Sequence, residues 1–209
     1  MAIIVLLAGF AVVGIIGAKQ RAAVARSKAE LALLAAALEN YKRHYGDYPQ
    51  TGGAAQAPLA PTALIGTTTA QALLFNALTG VYAPTNFTTR INGPSLIDVS
   101  RFSLEAALTA ATFAVPTGSP PAKTVVANSF LDPWGNRYLY YYKNPRNTAN
   151  WLAPGYVLYS AGPDGKLGTG APPATGTTDN GINPATGLYS GTSQTTGFNA
   201  DNLYADKLP

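Results

Sequence analysis

The side chains able to do chemistry are few in this chain, and their spacing is the first thing the sequence offers. Cysteine is absent and His44 is the single histidine. No serine stands in a nucleophile elbow, so no nucleophile–base pair can be assembled. The ten Asp and Glu are scattered rather than paired for acid–base work. The expectation is therefore no catalysis and no catalytic or cofactor-binding residues. One carboxylate stands out by its setting, Asp164 in "YVLYSAGPDGKLG", where Gly-Pro-Asp-Gly reads as a turn. The run is not an EF-hand, because the spaced Asp/Asn ligands and the closing Glu are missing. The second candidate is the aromatic run "YLYYY". Strand alternation puts Tyr138, Tyr140 and Tyr142 on one side and Leu139 and Tyr141 on the other. Packing on a helix explains that run better than stacking of bases or sugars. His44, near a helix end, has a plain role in the helix dipole.

Charge narrows the partners. The net charge is +4, but residues 1–50 hold six Lys/Arg against three Asp/Glu, and the rest hold eight against seven. The basicity is thus a cluster, Lys19, Arg21, Arg26 and Lys28, just after an uncharged run. A nucleic-acid-binding body would carry a basic stripe, and none is present, which argues against nucleic acid. Without cysteine there is neither a disulfide framework nor a thiolate metal site.

The elements that position these residues follow from periodicity. Residues 1–18 are uncharged and as a helix would span about 27 Å, near the thickness of a hydrocarbon core. Beyond them Val24, Leu31, Leu38 and Tyr45 recur every seven residues, with Leu34 and Tyr41 in a second row. No proline precedes Pro49, so one helix is expected from the start to about His44, ended by Gly46 and Pro49. Its first half is apolar all round and its second half amphipathic. Two short helices are expected in the Ala-, Thr-, Pro- and Gly-rich segment 46–130. One lies in "TTTAQALLFNALTGVY", with a Thr N-cap and Gly80 at its end. The other lies in "SRFSLEAALTAATF", capped by Ser100 or Ser103. From residue 131 the pattern turns to β. "DPWGNRYLYYYKN" places a Pro-Trp-Gly-Asn turn before an aromatic strand, and "PGYVLYS" carries a second strand, Tyr156–Ser160; the pair, spanning 132–141 and 156–166 with its turns, is antiparallel by default. The organisation expected is a helix over 1–45, a loop-rich insertion over 46–130 and a strand-bearing part over 131–209.

The long helix, "DPWGNRYLYYY" and "YVLYSAGPDGKLG" together resemble the major pseudopilins of bacterial type II secretion, within the type IV pilin superfamily. The resemblance covers about residues 1–50 and 130–168 and the short "NADNLYAD". It implies an α+β, pilin-like fold, with the helix packed on a small antiparallel sheet and loop-rich insertions. It also implies a calcium ion after the second strand. Asp164 stands in the matching position, with the carbonyls from Ser160 to Leu167 around it. Asp201 in "NADNLY" is the matching second carboxylate, and Asp179 is its rival. Such ions take six to eight hard oxygens. The long spacing between these elements departs from the family pattern.

In that family the mature helix follows a short basic leader removed after a glycine, and it carries a buried Glu. "MAIIVLLAGFAVVGIIGAK" resembles a later part of such a helix, so leader, cleavage site and Glu are expected upstream of Met1. A basic leader also gives a membrane helix its usual charge topology. The function implied is a structural filament subunit, polymerising with its own copies through the hydrophobic helix. Its partners would be an inner-membrane assembly platform and the prepilin peptidase. It would reside in the bacterial inner membrane before assembly, then in a periplasmic or cell-surface filament. A related type IV pilus or surface fibre is a variant of that reading. The alternative from another class is a membrane-anchored extracytoplasmic binding module, with its ligand site in 50–130.

Overall fold

The computed structural model describes residues 2–51, 69–82, 93–105, 126–143, 151–166 and 202–205, with 2–16 described as backbone only. Helix α1 runs without interruption over Ala2–Tyr45. It stops where Gly46 takes φ +88°, a left-handed conformation that favours glycine, and the Gly46 amide caps the Lys42 carbonyl at 2.7 Å. Lys42, Arg43 and His44 crowd the last turn, where cations complement the helix dipole. Among the described residues no helix is long and apolar enough to cross a membrane. The expected span 1–18 lies, except for Gly17 and Ala18, outside the residues whose side chains are described.

The amphipathic half of α1 buries Leu31, Leu34, Ala37, Leu38 and Tyr41. Full burial of each leucine contributes about 2 kcal/mol. Ser27 lies one heptad before Leu34 on the same row and is buried as well, a polar residue on the apolar face. Helix α2, Ala70–Leu78, begins with Thr69, whose side chain accepts from the Ala72 amide, and is followed by Gly80 at φ +83°. Both sequence signals for this helix are realised. A side chain at Gly80 would collide with the Gly93 carbonyl, 2.3 Å from an added Cβ, so only glycine lets that chain pass.

The helix expected in "SRFSLEAALTAATF" does not begin where its caps suggested. A 3-10 turn occupies Val99–Arg101, capped by Asp98, and strand β1, Ser103–Leu104, follows. The continuation from residue 106 lies outside the described residues. Tertiary contact overrides the local helical pattern here: Phe102 packs on Phe130 with ring centroids 4.9 Å apart, and β1 pairs antiparallel with β2, Phe130–Leu131.

The second sheet is three-stranded and antiparallel, in the order β3-β4-β5. Strand β3 is Leu139–Tyr141, β4 is Val157–Ser160 and β5 is Leu203–Tyr204. The expected strand over 132–141 is therefore shorter. Residues 132–136 form the turn expected from Pro-Trp-Gly-Asn, and Arg137 makes an isolated bridge to Leu131. The expected β3–β4 pairing is realised with Tyr140 opposite Leu158. Strand β5 was not anticipated. It pairs Tyr204 with Tyr159, and the two rings stack at 5.2 Å. Helix α1 packs on β4 and β5, while α2 packs on β3. Leu74, Phe75, Leu78 and Phe102 from the insertion share one core with Leu34, Leu38, Tyr140 and Leu158. The architecture is α+β: a long N-terminal helix on small antiparallel sheets.

Candidate functional site

The turn at 132–136 is closed by its own backbone. The Asp132 amide donates to the Asn136 carbonyl at 2.8 Å, and Gly135, at φ +88°, donates to the Asp132 carbonyl at 3.0 Å. The Asp132 carboxylate then accepts from two amides through Oδ1, Trp134 at 3.0 Å and Asn136 at 2.8 Å. Its Oδ2 accepts from the Ser160 hydroxyl at 2.6 Å. Ser160 Oγ in turn accepts from the Gly162 amide, and Asn136 Nδ2 donates to the Gly162 carbonyl at 3.2 Å. The turn before β3 is thereby clasped to the turn after β4. At Gly165, φ +61°, an added Cβ would lie 2.7 Å from Asn136 Oδ1, so the second turn rests directly on the first. Asp132 is only 1% exposed. Burial pushes its carboxyl above the usual carboxylate range, outweighing the bonds from Ser160 and the two amides, and the charge of Glu30 pushes the same way.

Asp164, the carboxylate singled out in the sequence, lies on this clasped turn and is exposed. Its Oδ1 accepts from the Lys166 amide at 2.8 Å, the bond of an Asx turn. Ser160 is buried, and its hydroxyl is committed to Asp132 and Gly162. Antiparallel pairing sets Ser160 opposite Leu203, so Asn202 adjoins the end of β4 from which this turn departs. Leu167, Asp179 and Asp201 lie outside the described residues. Among the described residues no three of His, Cys, Asp and Glu gather where they could hold a metal ion. What the described residues offer a hard cation is one exposed carboxylate on a turn braced from behind, beside the strand that follows Asp201.

The tyrosines divide as the alternation of a strand requires. Tyr138, Tyr140 and Tyr142 send their hydroxyls toward α1 and the chain leaving it. Tyr138 donates to Glu30 Oε2 at 2.7 Å and lies 3.3 Å from Ser27 Oγ. Tyr140 donates to the Pro49 carbonyl at 2.9 Å, and Tyr142 to Asp47 Oδ1 at 2.7 Å. All three are buried, so none offers a face for stacking. Glu30 also accepts from Arg26 Nε at 2.7 Å, and Arg26 reaches Ser103 of β1 at 3.0 Å. Burial alone would raise Asp47. Bonds from Tyr142, Gln50 and the Tyr48 amide, with the charge of Lys143, more than offset it and hold the carboxyl below its ordinary range. His44 is exposed and rests edge-on against Tyr45.

Sequence reasoning passed over the supporting residues. Asp132 and Asn136 carried a signal, an Asp opening a Pro-Trp-Gly-Asn turn, but their link to Ser160 is visible only in three dimensions. Arg137 and Glu105 carried none. They form a buried ion pair, with Arg137 Nε 2.6 Å from Glu105 Oε1 and Nη2 on the same oxygen, tying the end of β1 to the segment ahead of β3. Comparison of the chain with protein-family models, with curated proteins and with solved structures finds no match.

Proposed function

We propose that this chain is a filament-forming structural subunit of pilin-like type, held in a membrane through the uncharged start of α1 before assembly and polymerising through that helix. The observation that carries this reading is the division of α1. One side of its second half is buried under the sheet and the insertion. The other side, with Ala22, Ala25, Ala29, Ala32, Leu33 and Ala36, stays exposed. Small side chains let helix backbones approach closely, which suits packing against like helices. The subunit performs no chemistry of its own in this reading, and cohesion comes from helices leaving lipid for a bundle. An inner-membrane assembly platform and a prepilin peptidase are the partners it implies, and a periplasmic or surface filament is the destination.

Calcium belongs to the same proposal. Asp164 would supply one carboxylate, Asp201 or Asp179 another, and backbone carbonyls between Ser160 and Leu167 the rest. The bound ion would neutralise the carboxylates and fasten the 162–165 turn to the C-terminal segment.

Shearing of cells that produce the protein, followed by sedimentation and electron microscopy, tests the filament. Long fibres containing the chain are expected in the sheared fraction. Retention of all the protein in the membrane fraction would overturn the filament and favour the anchored binding module.

A further inference from the structure

Helix α1 carries Lys19, Arg21, Arg26 and Lys28 over a rise of about 14 Å, and all four are exposed. At about 100° per residue, Lys19 and Arg26 fall on one side of the helix and Arg21 and Lys28 on the opposite side. The charge therefore forms a two-sided collar, flanking the exposed alanine face of the helix instead of lying along one stripe, while the face at Ser27 and Glu30 is buried under the sheet. No Asp or Glu lies between Met1 and Glu30. Glu30 is buried and takes Arg26 at 2.7 Å and the Tyr138 hydroxyl. Arg26 is thus paired with Glu30 and bonded to Ser103. Lys19, Arg21 and Lys28 make no ion pair among the described residues. Beside them Ala18, Ala22, Ala25 and Ala29 are exposed and short, leaving the cations accessible across that face.

We infer that this collar is a docking surface for an anionic phospholipid headgroup layer, an inference that rests on the membrane-held reading above. Charge complementarity and position select this occupant. The uncharged stretch ahead of Lys19 runs nearly the thickness of a hydrocarbon core, so the collar falls at headgroup level. Long Lys and Arg side chains reach phosphate there while their stems cover the helix. Cations on two opposite sides of the helix fit a headgroup layer that meets it from both flanks, where a protein partner would meet one face. The lipid contact would hold the subunit upright and keep the sheet-bearing half clear of the bilayer.

The test uses the full chain, released from detergent into a mixture of phosphatidylcholine vesicles and vesicles that also contain phosphatidylglycerol, separated afterwards by flotation. Enrichment of about tenfold or more on the anionic vesicles is expected at low salt, shrinking at high salt. The variant K19Q/R21Q/K28Q should lose the preference while keeping the parent circular dichroism and melting temperature. The variant R43Q, with one exposed cation removed farther along the same helix, should keep it. An equal split of the parent, or a preference retained by the triple variant, would overturn the collar's role and leave membrane anchoring standing. Loss in R43Q to the same extent would overturn it too, because net charge would then suffice. Uptake by neither vesicle would overturn the anchoring and the collar together.

Discussion

The Ser160 hydroxyl donates to Asp132 Oδ2 at 2.6 Å and joins two turns 28 residues apart in sequence. The bond is short because its acceptor is a carboxylate that burial has stripped of water, and its two Oδ1 bonds hold it in place. Truncation in Asp132→Ala strands the Ser160 hydroxyl and two amides. An unpaired buried group costs about 1–3 kcal/mol, so a loss near the upper end is expected, read by urea unfolding. Asp132→Asn should cost clearly less, because its carbonyl oxygen still accepts both amides and its amide can donate to Ser160. Equal losses in the two variants would show that the clasp contributes little.

The same residue sets a pH dependence. Burial raises the folded-state pKa of Asp132 above its ordinary 3.8, so the folded protein holds the proton more tightly than the unfolded chain. Its contribution to stability is greatest below that value and declines as pH rises through the folded pKa. Asp47 has the opposite sign. Its folded pKa lies below 3.8, so its contribution is present above that value and is lost as pH falls through the folded pKa. Melting curves of Asp132→Asn and Asp47→Asn across acid pH should therefore diverge in slope from the parent in opposite directions. Parallel curves would remove both assignments.

How far the sequence discloses this arrangement depends on how local each cause is. Helix α1 and its end were legible because heptad spacing, the lack of proline and Gly46 are local signals. Helix α2 was legible through Thr69 and Gly80 for the same reason. The β3–β4 pair followed from aromatic propensity and flanking turns. The start expected for a helix capped by Ser100 or Ser103 was misplaced because Phe102 finds Phe130 and β1 finds β2, contacts made across 25 or more residues that no local pattern encodes; the rest of that expected helix lies outside the described residues. Strand β5 escaped for a related reason: two residues in a Gly-, Thr- and Asn-rich tail become a strand only because β4 presents a free edge. At the candidate site the exposed Asp164 was legible, whereas the buried Asp132–Ser160–Asn136 support was not. A turn motif reveals its own backbone and says nothing of what it leans on.

The Arg137–Glu105 pair makes a sharper energetic prediction than any surface ion pair here. Both groups are almost wholly buried. Replacing one partner alone leaves an uncompensated charge in the interior, at a cost of about 3–5 kcal/mol. Arg137→Met and Glu105→Leu should each fall in that range by chemical denaturation. The double variant should recover much of the loss, because two apolar side chains leave no buried charge. Additive losses would mean that the two residues act independently and that the pair does not hold β1 to the segment before β3.

Calcium at the 162–165 turn is separable from the turn itself by choice of variant. Asp164 Oδ1 accepts from the Lys166 amide, and an asparagine there can keep that bond while discarding the charge. If the carboxylate binds a cation, the parent melts at a higher temperature in calcium than in chelator, and Asp164→Asn and Asp164→Ala both erase the difference. Asp201→Asn and Asp179→Asn then assign the second ligand, since only the true one erases it as well. If the aspartate serves only the turn, Asp164→Asn melts like the parent in either condition, Asp164→Ala melts lower, and neither responds to chelator. A parent protein that melts identically with and without chelator overturns the calcium assignment outright. The clasp formed by Asp132, Asn136 and Ser160 would still stand, because each of its bonds is made by the chain alone.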